Sequence, residues 1–146
     1  MRANPWLIAG GVLSAAAALL HLAIIAGGPS WYRFFGAGER MARAAAYGSI
    51  RPTLYAVAIA TILAIWSAYA FSSAGLIGRL PLLRTALVLI SFVYLARALA
   101  PLPILLFAPE RMAPFVWWSS GVVLLYGLAY AIGTWTGWRD LAPRLG

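Results

Sequence analysis

Residues 6–27 read WLIAGGVLSAAAALLHLAIIAG, and no charged residue interrupts them. A helix over this run is about 33 Å long, against the roughly 30 Å hydrocarbon core of a bilayer. A water-facing helix carries one apolar stripe. This run is apolar on every face, so the solvent it suits is lipid. Three more runs repeat the pattern: TLYAVAIATILAIWSAYAF at 53–71, opened by Pro52; TALVLISFVYLARALAPLPILLF at 85–107, interrupted by Arg97; and APFVWWSSGVVLLYGLAYAIGTW at 113–135. The chain therefore reads as an all-α integral membrane protein. Its four transmembrane helices form an up-down bundle, one domain over residues 1–146, with a short amphipathic interfacial helix in the first loop.

Composition supports this reading. Of 146 residues, 64% are hydrophobic and only 10% charged, where soluble domains run near half apolar and a quarter charged. Eleven arginines face Glu39, Glu110 and Asp140, giving a net charge of +8 with no lysine. Lysine-free usage rich in Ala, Gly, Arg and Pro points to a GC-rich bacterial genome and hence to a bacterial inner membrane. A basic balance can mark nucleic-acid binding, but that needs a clustered soluble basic face. Here the arginines lie in short gaps between apolar runs, where lipid headgroups are the simpler partner. With no cysteine, thiolate catalysis and thiolate metal sites are excluded.

Arg2, the apolar run and the small residues SAAAA at 14–18 also resemble a cleavable signal peptide, but the run outlasts the 7–15 apolar residues usual there. Four spans place both termini on one side with the second loop. That side carries Arg2, Arg79, Arg84, Arg139 and Arg144; the other carries Arg33, Arg40, Arg43, Arg51 and Arg111. The positive-inside rule ties, and we read the termini as cytoplasmic because arginines held in a structured loop are poor topology markers. Trp6, Trp135 and Trp138 would mark one interface, and Trp31, Trp117 and Trp118 the other.

The first loop, GGPSWYRFFGAGERMARAAAYGS at 27–49, is the least lipid-like stretch. GGP predicts a turn, WYRFF an aromatic anchor, and ERMARAAAYG a short amphipathic helix with Arg40, Arg43 and Tyr47 on one face. The interfacial segment is thus 28–49. Residues 37–42, AGERMA, recur as APERMA at 108–113. Two readings follow. The helix hairpins could be parallel repeats of a transporter kind; more simply, each Glu opens a helix whose positive end it complements.

Two polar residues stand inside the apolar runs. His21 and Arg97 fall at similar depth, and an intramembrane Arg costs about 2.5–3.5 kcal/mol on insertion scales. Arg97 precedes ALAPLP, so Pro101 and Pro103 would end its helix early and let the guanidinium snorkel to headgroups. Glu39 and Glu110 are its candidate counterions. A ligand site under the first loop would use His21, Glu39 and Arg97 for a polar head, with Phe35, Tyr55, Tyr94, Trp118 and Ser119 around it. One histidine cannot supply a haem's usual axial pair, and His21 with Glu39 and Glu110 lacks any metal-ligand spacing, so neither cofactor nor metal is expected.

No nucleotide loop, nucleophile elbow, paired catalytic carboxylates or kinase signature is present. In its length, its four spans and the segment GGPSWYRFFGAGE at 27–39, the chain resembles small bacterial four-helix inner-membrane proteins of the DoxX type. That resemblance implies a location and a fold class, and no substrate. The leading expectation is a non-enzymatic protein that binds membrane lipid, another lipophilic small molecule or a membrane-complex partner. The second is an enzyme acting on a quinone or polycyclic lipid, with His21 or Glu39 as the general acid/base and Arg97 stabilising an anion or enolate. The third is a small transporter, which would need a homodimer. The series Ala129, Gly133 and Gly137 would supply either an oligomer seam or packing within the chain.

Overall fold

The computed structural model describes residues 3–142. Among them 78% are helical and no strand occurs. The helices are α1 (Pro5–Gly27), α2 (Pro29–Phe34), α3 (Glu39–Ala46), α4 (Arg51–Ser73), α5 (Leu83–Leu99), α6 (Leu102–Phe107) and α7 (Pro114–Thr136), with a 3₁₀ turn at Pro109–Arg111. Four helices are long and apolar enough to cross a membrane: α1, α4, α7 and the stretch Leu83–Phe107, which joins α5 to α6. Only 22–28% of each apolar window is buried. Leu19, Phe92 and Leu125 are 68%, 67% and 62% exposed, so the exterior of these helices is apolar.

Each boundary follows from local chemistry. Asn4 caps α1: its Oδ1 accepts from the amides of Trp6 at 3.1 Å and Leu7 at 3.4 Å, with Pro5 in the first helical position. The third apolar run breaks after Leu99. Pro101 has no N–H and its ring meets the carbonyl of Arg97, while Pro103 cannot donate to Leu99. The chain restarts as α6, where no residue is buried.

The chain divides into two compact units, Ala15–Ile65 and a larger one made of Met1–Ser14 with Trp66–Gly146. The smaller unit contains the first loop. Its aromatic stretch is itself helical (α2), where the sequence suggested only an anchor. An eight-residue helix is marginal by itself, so packing must hold α3. Ala42, wholly buried, sits with Ile24 and Tyr32, and Phe35, Met41 and Ala45 pack around them. Arg40 and Arg43 are exposed, as the amphipathic pattern predicts.

In the larger unit α5 and α7 run antiparallel: Arg84 meets Trp138, Tyr94 meets Tyr130, and Leu95 meets Gly127. The first half of α1 packs on α7 through close approach. A Cβ on Gly10 would lie 2.9 Å from the Tyr130 ring, and one on Gly133 would lie 2.7 Å from Leu7. Gly133 therefore serves packing within the chain. Beyond α7 the backbone turns and is held by two arginines. Arg84 donates from Nε and Nη2 to the Trp138 carbonyl at 3.1 and 2.6 Å and lies over the Trp138 ring. Arg79 donates to the carbonyls of Asp140 and Ala142. These guanidiniums hold backbone carbonyls of the turns that follow α7.

Candidate functional site

The eight residues expected around a ligand fall four and four into the two units. His21, Phe35, Glu39 and Tyr55 belong to the smaller; Tyr94, Arg97, Trp118 and Ser119 belong to the larger.

In the smaller unit Glu39 opens α3, after Gly38 at φ 90°, ψ 161°. Arg33 grips its carboxylate with two hydrogen bonds, Nε to Oε2 at 2.8 Å and Nη2 to Oε1 at 3.1 Å. Arg43, one turn on, approaches Oε1 at 3.6 Å. The Arg33 hydrogen bond, opposed by desolvation and aided by the charges of Arg33 and Arg43, holds the Glu39 carboxyl below the usual carboxylate range. The same bond raises Arg33 above its ordinary value. Phe35 packs on the Ile24–Tyr32–Ala42 core. Tyr55 is exposed on α4.

His21 is half-buried on α1, with Nδ1 2.8 Å from the Ala17 carbonyl. A carbonyl only accepts, so Nδ1 carries a proton, and in the neutral ring Nε2 presents a lone pair. No hydrogen bond or ion pair joins His21 to Glu39 among the described residues.

In the larger unit Arg97 is exposed in the last turn of α5, where a cation complements the negative helix end. Both acids expected as its counterions are engaged elsewhere: Glu39 by Arg33 and Arg43, and Glu110 by Arg111 at 3.9 Å. Trp118 is half-exposed with its ring edge on Phe115, and Ser119 is buried and donates to the Val116 carbonyl at 3.3 Å.

Tyr94 sits in a network of hydroxyls and rings. Its hydroxyl lies 2.8 Å from Ser14 Oγ, which lies 2.9 Å from the Tyr130 hydroxyl, which donates to the Trp66 carbonyl at 3.0 Å. Each hydroxyl owns one proton, so the direction is determined: Tyr94 donates to Ser14, Ser14 to Tyr130, and Tyr130 to Trp66. One chain of hydrogen bonds thus ties α5, α1, α7 and α4 together, and the Trp66, Tyr126 and Tyr130 rings pack against Tyr94. Sequence reasoning missed Ser14, Trp66 and Tyr130. Ser14 was hidden among alanines, though Tyr126 and Tyr130 four apart on one helix face offered a signal.

Two cavities open in the larger unit. The first, about 670 Å³, is lined by Asn4, Leu7, Ser72, Arg79, Thr136 and Asp140 among others. Its polar groups mostly serve the backbone. Asn4 Nδ2 donates to the Gly133 carbonyl at 2.9 Å, Ser72 Oγ to that of Gly78 at 2.9 Å, and Arg79 to the residues after α7. The second, about 260 Å³, lies against α5, α6 and α7. Among the described residues no three of His, Cys, Asp and Glu gather as metal ligands would.

No protein-family model, curated protein or solved structure matches the chain. Function must be read from the residues themselves.

Proposed function

We propose that this is a multi-pass protein of a bacterial inner membrane, its four long helices running up and down through the bilayer with both termini cytoplasmic. It works by binding, holding an amphipathic lipid-like molecule or a membrane-complex partner against the few polar groups on its apolar helices. The observation behind this reading is the apolar exterior: helices long enough to span, with large side chains such as Leu19, Phe92 and Leu125 exposed. Soluble monomers rarely expose contiguous apolar patches larger than a few hundred Å².

The absence of cysteine makes the test clean. Single variants Ser30→Cys and Gly78→Cys carry the only thiol in the chain. An impermeant maleimide should label them from opposite sides of the membrane. Labelling from the same side would overturn the up-down arrangement, and release of the chain by alkaline carbonate would overturn insertion. For binding, an organic extract of the detergent-purified protein should contain a stoichiometric amphiphile. A chain that purifies with neither amphiphile nor protein partner would overturn it.

Catalysis on a lipophilic substrate is the second reading, favoured by His21, whose Nδ1 is held by the Ala17 carbonyl and whose Nε2 makes no hydrogen bond among the described residues. Glu39, held ionised by two arginines, is a weak proton acceptor, so His21 would carry acid–base chemistry alone. Turnover surviving in His21→Ala would remove this reading.

A further inference from the structure

A hydroxyl in an apolar helix is usually silenced by its own backbone. Thr61, Ser73, Ser91, Thr134 and Thr136 each donate to the carbonyl four residues back, at 2.6–2.8 Å. Ser67 reaches across to the Gly11 carbonyl at 2.8 Å. Ser120 does neither. Its Oγ is shielded from solvent and has no hydrogen-bond partner among the described residues. An unmade buried hydrogen bond is unfavourable, so a donor kept free suggests an acceptor that arrives with a ligand.

Ser120 lines the smaller cavity, a groove of about 260 Å³ whose walls include Ala98, Leu102, Leu105, Val116 and Leu124. Next to it, the position a Cβ would take on Gly121 meets open space. The opposite wall exists because Pro101 and Pro103 stop α5 and restart the chain as α6. Apart from Ser120 and the indole of Trp117 the lining side chains are apolar, and the volume lies below the roughly 300–1,000 Å³ of pockets that engulf drug-sized molecules. A ring system is therefore poorly accommodated; part of a single alkyl chain is not. Two arginines flank the lining in sequence, Arg97 beside Ala98 and Arg111 beside Met112, and both are exposed.

We propose that this groove holds one acyl chain of an anionic phospholipid, with the shielded Ser120 hydroxyl turning about χ1 to donate to the ester carbonyl and Arg97 and Arg111 facing the phosphate. The inference rests on the membrane reading above. Trp117 sits where interfacial aromatics belong, and Ser120 lies about 4.5 Å deeper along the helix, just below the headgroups where ester carbonyls lie.

The test uses the full chain in phosphatidylcholine vesicles containing phosphatidylglycerol with a diazirine in one acyl chain. After photolysis, adducts should concentrate on residues 98–105 and 116–124. Gly121→Phe, which fills the notch, should remove them, whereas Leu125→Phe on the exposed face should not. Ser120→Ala should weaken retention of phosphatidylglycerol about two- to tenfold, the loss of one hydrogen bond. In lipid-free detergent the same variant should melt no lower than the parent, because it deletes an unpaired hydroxyl. A serine serving only the fold would lower melting with or without lipid. Adducts spread evenly over the exposed helices, adducts unchanged in Gly121→Phe, or crosslinks from the groove to a second copy of the chain would each overturn the proposal. A chain that floats with the vesicles but labels evenly sinks this inference alone; a chain that fails to float sinks the membrane reading with it.

Discussion

The tetrapeptide ERMA is α-helical throughout at 39–42, while at 110–113 only its first two residues turn, in a 3₁₀ helix. In the first copy Glu39 opens α3, Ala42 is buried, and the backbone continues as helix to Ala46. In the second, a single 3₁₀ turn ends at Arg111, Met112 and Ala113 are extended, and Ala113 is exposed. The difference lies in the neighbours. RAAA follows the first copy and propagates a helix readily. Pro114 follows the second and drives the residue before it out of the α region. Moreover, α3 has a local core to dock on, while the 3₁₀ turn buries no residue. Five shared residues of six in the two hexapeptides therefore do not make a structural repeat at the loops, and the transporter reading loses the support that the motif lent it.

The largest effect should come from matched charges at the last position of the motif. Ala42→Asp places an uncompensated carboxylate in the Ile24–Tyr32 core and should cost about 3–5 kcal/mol, read by thermal melting in mild detergent and by faster amide exchange in α3. Ala113→Asp should stay within about 0.5 kcal/mol. Equal losses would mean that the two copies sit in equivalent surroundings after all.

Next come the residues before each Glu. Gly38 occupies a backbone region that is essentially glycine-only, and the space around its Cβ position is open. Gly38→Ala should therefore cost about 1–3 kcal/mol through backbone strain alone. Pro109→Ala, exposed and already at a turn start, should change melting by less than about 0.5 kcal/mol. A smaller change tests the cause assigned to the difference: Pro114→Ala lifts the restriction on Ala113 and should extend α7 backward by about one turn of three to four residues. Backbone chemical shifts at Met112 and Ala113 that stay extended would show that something else stops that helix.

How far these features can be read from sequence depends on the range of the forces behind them. The four long apolar stretches were legible to within two residues at each end because composition along one run decides them, and so was the break that Pro101 and Pro103 impose on the third. The helix at ERMARAAA was legible from its charge pattern. Its partner α2 was not, because WYRFF has no local signature that separates a helix from an anchor. The expected site fared differently. Tyr94 was expected around a ligand because it lies one turn from Arg97; that it bonds to Ser14 and joins Tyr130 and Trp66 depends on how four helices are rotated. Glu39 was expected to face a ligand or Arg97, yet six residues upstream Arg33 offers a two-pronged grip that only the α2–α3 turn creates. The free hydroxyl of Ser120 had no sequence signal, since its neighbour Ser119 reads the same and does bond to the backbone.

The smallest effect separates the two acids. Glu39→Gln removes a carboxylate held by Arg33 and Arg43, whereas Glu110→Gln removes one met by Arg111 only at 3.9 Å. Both are surface groups whose ion pairs salt screens. The first substitution should loosen α3 measurably and more so at low salt; the second should not register. The acid dependence has a definite sign. Because Arg33 holds the folded-state pKa of Glu39 below its unfolded value, the contribution is fully present above about pH 4.3 and disappears as pH falls through the lower folded value. Arg33 contributes in the opposite sense, losing its part only as pH rises beyond the ordinary arginine range. A maleimide spin label on Ser30→Cys, in the α2 turn that Arg33 anchors, should therefore gain mobility only as pH falls below the ordinary carboxylate range. The Glu39→Gln background should show that mobility already at neutral pH and no further acid step. An acid transition of unchanged midpoint in that background would assign the step to another group and remove the Arg33–Glu39 grip as the reason the two ERMA copies behave differently in acid.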